Sequence, residues 1–199
     1  MDAIRKPVEK MLVLLLAIYI IMLPFMFGMF AGYQVLTFSV IYLSMCVFVS
    51  VVCYTGQRVT LTWMDMAVLL LFIYEWLHVA IISDGQVDGL VYYEWMALGM
   101  IYLLSRMMAG CSGLLFMLPF AVALSGGLQS LVGFLQYGGA LKSSGENFVL
   151  TGCFGNPGPL GGYLAVSFVS AIYLLMQKKG LAWRIIGIIL SLLVGVMLV

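Results

Sequence analysis

The chain has 199 residues, of which 64% are hydrophobic and 9% are charged, and its mean hydropathy is +1.16. A soluble domain of this length cannot cover its surface with so few charged side chains, so a water-soluble globular fold is excluded. The formal net charge is only +1, and the basic residues form no patch of the kind that binds nucleic acid, so no nucleic-acid partner is expected.

The hydropathy pattern predicts an all-α, polytopic transmembrane bundle that occupies residues 1–199 as a single domain. A helix that crosses a bilayer needs about 17–25 mainly apolar residues. Seven apolar runs meet this requirement. The fifth of them, about 109–137, is long enough to tilt, or to break at Pro119 or at 125–127 (Ser-Gly-Gly). The first run could instead be a signal peptide, but it is long for that role and no small-residue cleavage motif follows it. The seven runs lie at about 11–30, 34–54, 66–83, 89–105, 109–137, 159–177 and 182–199.

The basic residues predict the orientation of these spans. With the N-terminus in the cytoplasm, eight of the nine basic residues fall on the inner side and only Lys142 falls outside. This partition follows the excess of Lys and Arg in cytoplasmic loops, and adding or removing one span would destroy it. The longest outer loop, residues 138–158, therefore faces away from the cytoplasm. The eight inner residues are Arg5, Lys6, Lys10, Arg58, Arg106, Lys178, Lys179 and Arg184.

Three ionisable residues fall inside predicted spans near the outer face, namely Glu75 and His78 on the third span and Glu94 on the fourth. The first two are three residues apart and therefore share a helix face. Because charged groups are costly in a bilayer, such residues usually turn to the interior of the bundle, and we predict that the three form one polar cluster. The cluster could fix helix packing, supply a carboxylate that activates an acceptor, or reach the membrane interface by snorkelling.

The most distinctive segment is residues 151–165, with the sequence TGCFGNPGPLGGYLA. Its prolines fix φ and remove N–H donors, whereas its glycines let the backbone approach another backbone or a ligand closely. Asn156 precedes Pro157 and is therefore disfavoured in the helical region, while Pro159 suits the first turn of the helix that follows. A plain helix-initiating turn and a ligand-binding turn both fit these residues.

The sequence offers few other chemical motifs. The cysteines form no C-x-x-C pair, and a single histidine is too few for clustered ligands, so no metal or other cofactor is predicted. The chain contains no phosphate-binding loop and no G-x-S-x-G motif. It also lacks the internal repeat that many transporters show.

Two stretches together resemble the O-antigen ligase/O-antigen polymerase family of polytopic membrane glycosyltransferases. They are residues 128–137, LQSLVGFLQY, and, after a short polar loop, the 151–165 segment. Bacteroidetes-type members show a GLLQ…TGxFxNPGPxxGYLA arrangement at this point. The resemblance covers residues 128–167, and the hydropathy pattern before it also agrees. Cys153 departs from the family pattern, in which small or hydroxyl residues are commoner at that position.

The resemblance implies a multi-pass protein of the bacterial inner membrane that transfers or polymerises a glycan at the outer face. The glycan would come from an undecaprenyl-pyrophosphate carrier and pass to an acceptor lipid or glycan, without a cofactor, in lipopolysaccharide or other cell-envelope polysaccharide synthesis. Membrane lipids, the carrier and the acceptor are the expected partners. Backbone N–H groups and the positive end of the sixth helix would help to hold the pyrophosphate. The candidates for carrier binding are Gly155, Asn156, Pro157, Gly158 and Lys142.

The family places its catalytic arginine and histidine in its second half, so no catalytic residue can be carried over, and we expect those residues beyond Val199. Because the last apolar run stops without a polar flank, we also expect a fragment that is inactive by itself. Two other classes stay open. A secondary transporter should show pseudo-symmetric halves and polar groups at mid-membrane, and a non-catalytic membrane subunit would need neither.

Overall fold

The computed structural model describes residues 2–30, 32–54, 61–81, 89–108, 116–145, 147–177 and 180–198. Over these residues the fold is all-helical and contains no strand. Each helix coincides with one of the predicted apolar runs, which confirms the fold class. The helices are α1 (Asp2–Met29), α2 (Gly32–Tyr54), α3 (Trp63–Ile81), α4 (Gly89–Met108), α5 (Met117–Tyr137), α6 (Pro157–Met176) and α7 (Leu181–Leu198).

The helices are those of a multi-pass membrane protein. Within the described residues, five segments are long and apolar enough to cross a bilayer. The total of seven spans and the cytoplasmic N-terminus stay predictions. The five segments are Pro7–Met29, Gly32–Val52, Met117–Tyr137, Pro157–Met176 and Leu181–Leu198.

Helix α5 runs unbroken through both positions at which a break was considered. Pro119 lies in the first turn, where a missing N–H donor is tolerated. A Cβ atom at Gly126 would overlap the Ser167 side chain of α6, and one at Gly127 would lie 2.7 Å from a methyl group of Leu190 in α7. These glycines therefore allow close helix approach rather than interrupting the helix. The start of the predicted run, 109–115, lies outside the described residues.

Most of α1 joins α5, α6 and α7 in one compact unit, formed by Glu9–Ala31 and Cys111–Val199. One group of buried apolar side chains lies between α5, α6 and α7, and a second lies between α6 and α7. Small residues in these groups allow the helices to approach closely, and the leucines fill the remaining space. The first group is Ala123, Ala171, Leu174 and Leu190, and the second is Leu160, Leu164 and Val194.

Helix α1 contains an internal proline and is tied to α5 within the preceding turn. Pro24 is fully buried, and a proline in a helix interior disturbs the hydrogen bonds of the preceding turn. In that turn the carbonyl oxygen of Ile21 accepts a hydrogen bond of 3.3 Å from the Ser125 hydroxyl of α5. This contact ties α1 to α5.

The second compact unit is formed by Met1–Val8 and Gly32–Gly110 and contains α2, α3 and α4. Helix α2 packs along α4, where the Ser44 hydroxyl lies 3.3 Å from the Met100 sulfur. The expectation of a single domain over residues 1–199 stays a prediction.

Helix α3 rests on α4 through aromatic side chains. The rings of Phe72 and Trp95 meet edge to face with centroids 5.6 Å apart, and those of Trp76 and Tyr92 are 5.5 Å apart. Gly99 leaves space for the Phe72 ring, since a Cβ there would lie 3.1 Å from it. Most other large side chains of α3 are exposed.

Candidate functional site

The loop after α5 begins with a tight reversal of the chain. Gly139 adopts a φ of +74°, which favours glycine. The Ala140 N–H donates to Leu135 O at 2.8 Å, and the Gly139 N–H donates to Gln136 O at 3.0 Å. These two bonds form a Schellman motif, which satisfies carbonyl groups that the end of a helix leaves unpaired. The reversal turns the chain back at the end of α5.

Gln136, in the last turn of α5, holds the middle of this loop. Its side-chain oxygen accepts hydrogen bonds from the N–H groups of Thr151 at 3.1 Å and Gly152 at 2.9 Å. Its side-chain nitrogen donates to Gly152 O at 2.9 Å. The side chain is buried, as are Thr151 and Gly152. One carboxamide therefore satisfies three buried backbone groups of the loop.

A pair of serines packs over the same backbone. The hydroxyls of Ser143 and Thr151 are 2.9 Å apart, and the Ser144 hydroxyl donates to Gly152 O at 3.2 Å. A Cβ on Gly145 would overlap the carbonyl oxygen of Gly155. The two sides of the loop, residues 143–145 and 151–155, are therefore in direct contact through polar groups.

Gln129 holds the next residue of the loop from two turns further back in α5. Its side-chain oxygen accepts a hydrogen bond of 3.0 Å from the Cys153 N–H. Gln129 is fully buried, and its side-chain nitrogen has no hydrogen-bond partner within the described structure. The buried hydroxyl of Tyr163 in α6 is likewise unpartnered there. Such groups are uncommon in protein interiors.

Aromatic side chains fix the loop to α1 and α6. The Phe154 ring lies between those of Phe27 and Tyr163, with centroid distances of 6.4 Å and 5.4 Å. Gly28 of α1 packs against Cys153, since a Cβ there would lie 3.0 Å from the Cys153 Cβ. The loop is thus anchored on three helices of its unit.

Asn156 starts α6, as the sequence indicates. It has an extended backbone, with φ of −145° and ψ of 137°, and its side-chain oxygen accepts a hydrogen bond from the Gly158 N–H at 2.9 Å. The helix begins at Pro157, two residues before the predicted run, because asparagine is a favourable N-cap and proline suits the first helical position.

The first turn of α6 has no unused backbone donor. Pro157 and Pro159 carry no N–H, Gly158 donates to Asn156, and the Leu160 N–H donates to Asn156 O. An anion at this helix end would therefore need donors outside the first turn. Gly161, one residue further, and Gly162 have open space where a Cβ would stand.

Lys142 lies at an open pocket of about 470 Å³ above the end of α5. The pocket combines the lysine ammonium group and polar side chains with Phe148 and Val149, which are 47% and 64% exposed. A cation beside exposed apolar side chains suits an amphiphile with an anionic head group. The lining residues are Gln136, Lys142, Ser143, Gly145, Asn147, Phe148 and Val149.

The three ionisable residues that were predicted to lie inside spans belong to the other unit. Glu75 is partly buried beside Tyr92 and Trp95 of α4, whereas His78 and Glu94 are exposed. The His78 ring contacts that of Tyr74 at 5.9 Å. Among the described residues no hydrogen bond joins the three, and their assembly into one polar cluster stays a prediction.

The same unit contains an ion pair that the sequence did not indicate. Asp65, at the start of α3, accepts hydrogen bonds from Arg106 at 2.6 Å and 2.8 Å and from the Tyr102 hydroxyl, both on α4. The Thr62 hydroxyl donates to the same carboxylate at 2.7 Å. The hydrogen bonds from Tyr102, Arg106 and Thr62 hold the pKa of Asp65 well below its usual range.

Sequence reasoning therefore identified the turn but not the residues that hold it. Gln129 and Gln136 are seven residues apart, which places them on one face of α5. This spacing was the feature of the sequence that could have identified them.

No family model matches the chain, and no curated protein or solved structure matches it significantly.

Proposed function

We propose that this chain binds a polyprenyl-pyrophosphate-linked glycan and takes part in its transfer or polymerisation, in the manner of the O-antigen ligases and polymerases that it resembles. The site would face outward from the bacterial inner membrane. The observation that carries the proposal is the ordered Gly-Asn-Pro loop beside an amphiphilic pocket. Gln136 fixes the loop, and Lys142 stands at the pocket among exposed apolar side chains.

The pocket supplies both kinds of contact that such a lipid needs. Its head is a pyrophosphate, which favours a cation and hydrogen-bond donors, and its tail is a hydrocarbon. Lys142 provides the charge, and Ser143 and Asn147 provide polar side chains beside it. Phe148 and Val149 provide apolar surface. Because the first turn of α6 has no unused N–H group, the head group is assigned to the pocket rather than to the helix end.

The start of α6 offers a surface for the rest of the lipid. Gly161 and Gly162 meet nothing within 4 Å where a side chain would begin, so packing within the described chain does not require glycine at either position. A pair of glycines on an exposed helix lets another molecule approach the backbone closely. We assign this surface to the hydrocarbon chain of the carrier.

The proposal assigns binding, not chemistry, to the residues of this chain. Expulsion of a pyrophosphate needs several positive groups at the site where negative charge develops, and the predicted outer side has only Lys142. A non-catalytic subunit that binds the carrier is therefore the second candidate, and the shortage of outer cations favours it.

The first test measures lipid binding to the full chain in nanodiscs. Undecaprenyl pyrophosphate is titrated against wild type, Lys142→Gln and the matched variant Lys10→Gln, which removes the same charge on the predicted inner side. Loss of a charge-assisted hydrogen bond should weaken binding about tenfold in the first variant only. Undecaprenol, which lacks the phosphates, should bind all three proteins equally. Equal binding of the pyrophosphate by all three would refute the site.

The second test separates the two candidates. Residues 1–199 in nanodiscs receive the lipid-linked glycan and an acceptor, and glycan transfer is measured. We expect binding without transfer, because one lysine opposite a pyrophosphate leaves net negative charge at a membrane interface. Transfer by this chain would show that the assignment of binding alone is wrong. A longer protein that contains this chain and transfers glycan would exclude the non-catalytic candidate.

A further inference from the structure

The contacts between α3 and α4 define the two lateral sides of this helix pair. The two helices face each other through Phe72 and Trp95, through Trp76 and Tyr92, and through the Asp65 ion pair. With about 3.6 residues per turn, every other position on either helix can be placed relative to these contact residues.

His78 and Glu94 turn to the same side of the pair. Each lies about 120° from the contact face of its own helix, at about 100° per residue. Because consecutive antiparallel helices have opposite senses of rotation when viewed from one end, these two displacements point to one common side. The pocket that Glu75 lines together with Val91 of α4 opens on that side as well. We call it the polar flank, and it consists of Leu71, Tyr74, Glu75, His78, Val91, Glu94 and Leu98.

The opposite side has a different composition. Among the described side chains it presents exposed apolar ones and no acidic or basic one. We call it the apolar flank, and it consists of Met66, Leu69, Ile73, Leu77, Tyr93, Met96 and Leu103. An apolar flank can face lipid directly, whereas exposed ionisable groups within a bilayer are costly and usually face protein. Helices α3 and α4 are predicted spans, and on that prediction the difference between the two sides indicates that the polar flank is covered by protein.

The ionisable groups of the polar flank also lie at similar depth. Trp76 is level with Tyr92, and in antiparallel helices each step along one helix matches a step back along the other. Glu75 is therefore level with Glu94, within about one residue. His78 lies three to four residues further along α3, which is about 4–6 Å, since each residue of a helix rises about 1.5 Å.

We propose that the polar flank binds a second copy of this chain. The flank carries both an acid and an imidazole, so it is complementary to itself. A two-fold axis along the membrane normal keeps every residue at its own depth and presents the same patch from both protomers. His78 of one protomer then meets Glu94 of its partner, and the symmetric pair forms on the other side of the axis. A partner surface that carries only acidic or only basic groups would be complementary to either His78 or Glu94 but not to both.

Photo-crosslinking in the membrane tests this arrangement with a matched control. Leu71 and Leu69 lie on the same helix with exposed fractions of 48% and 52%, but they belong to the polar and the apolar flank respectively. A photoreactive phenylalanine analogue replaces one or the other in two copies of the full chain that carry different tags. Leu71 should give an adduct that contains both tags, and Leu69 should not. An adduct with another protein, an adduct within one chain, equal yields from both positions, or no adduct would each overturn the proposal.

Charge variants test the pairing itself. Polar contacts between helices in membranes are weak, about threefold in an equilibrium constant for each pair, so Glu94→Gln or His78→Gln should lower the two-tag yield about tenfold through the two symmetric pairs. The double variant with His78→Glu and Glu94→His exchanges the two groups and should restore the yield. Two single variants that weaken the adduct, followed by a double variant that does not restore it, would refute the pairing. Helix content and expression are compared across all variants.

Discussion

Two buried glutamines of α5 should respond very differently to the same substitution. Replacing Gln136 by leucine leaves the N–H groups of Thr151 and Gly152 without acceptors in a buried site. Each such group costs about 1–3 kcal/mol, so the loop should be destabilised by about 2–6 kcal/mol. The Gly152 carbonyl still accepts a hydrogen bond from the Ser144 hydroxyl, so loss of the bond from the Gln136 side-chain nitrogen adds little.

The matched variant Gln129→Leu removes a side chain of the same size from the same helix face. It leaves one N–H group, that of Cys153, without its acceptor. It also removes a buried side-chain nitrogen that has no partner in the described structure, and that loss is favourable by a similar amount. The net cost should therefore be about 0–2 kcal/mol, well below that of Gln136→Leu.

The assay is hydrogen exchange of the peptide that contains Thr151 and Gly152, with the full chain in nanodiscs. A loss of 2 kcal/mol corresponds to about thirtyfold faster exchange through local opening, so Gln136→Leu should accelerate exchange at least that much. Gln136→Glu retains an oxygen that can accept from both N–H groups but puts a second oxygen in place of the donor to Gly152 O, so its exchange should be faster than that of wild type. If Gln129→Leu opened the loop as far as Gln136→Leu, the number of orphaned donors would not determine loop stability and the reasoning would fail.

Two further predictions concern helix packing and pH. Gly126→Ala should lower stability by about 1–3 kcal/mol, because its Cβ would overlap the Ser167 side chain. Gly162→Ala has open space at the Cβ position and should be neutral or slightly stabilising. Thermal unfolding of both variants checks the difference. Asp65 has a depressed pKa when folded, so its contribution is complete above about pH 4, its unfolded value. The stability difference between wild type and Asp65→Asn should stay constant from about pH 8 to 5 and shrink in stronger acid; a constant difference in strong acid would contradict the ion pair.

The sequence by itself determined the helical framework. Long apolar runs in a chain with 9% charged residues leave only membrane helices as a stable solution, because backbone groups in a bilayer must be satisfied within each segment. It also determined the start of α6, since the preference of Asn156 for an extended backbone and of Pro157 for the first helical position are local effects. Local physics of this kind needs no knowledge of neighbouring helices.

Only the tertiary structure decided which polar side chains hold the loop and which polar side chains pair between helices. Gln136 reaches residues 15 and 16 positions away, and Asp65 meets Arg106 41 positions away. The positions of such partners depend on how helices pack and where the chain turns back, and composition and periodicity do not contain that information. The first turn of α6 illustrates the point, since the Asn156 side chain takes the Gly158 N–H group that could otherwise face a ligand. The hydrogen-bond partners of buried groups are set by the complete three-dimensional arrangement, because a donor can bond only to an acceptor that the packing brings within reach.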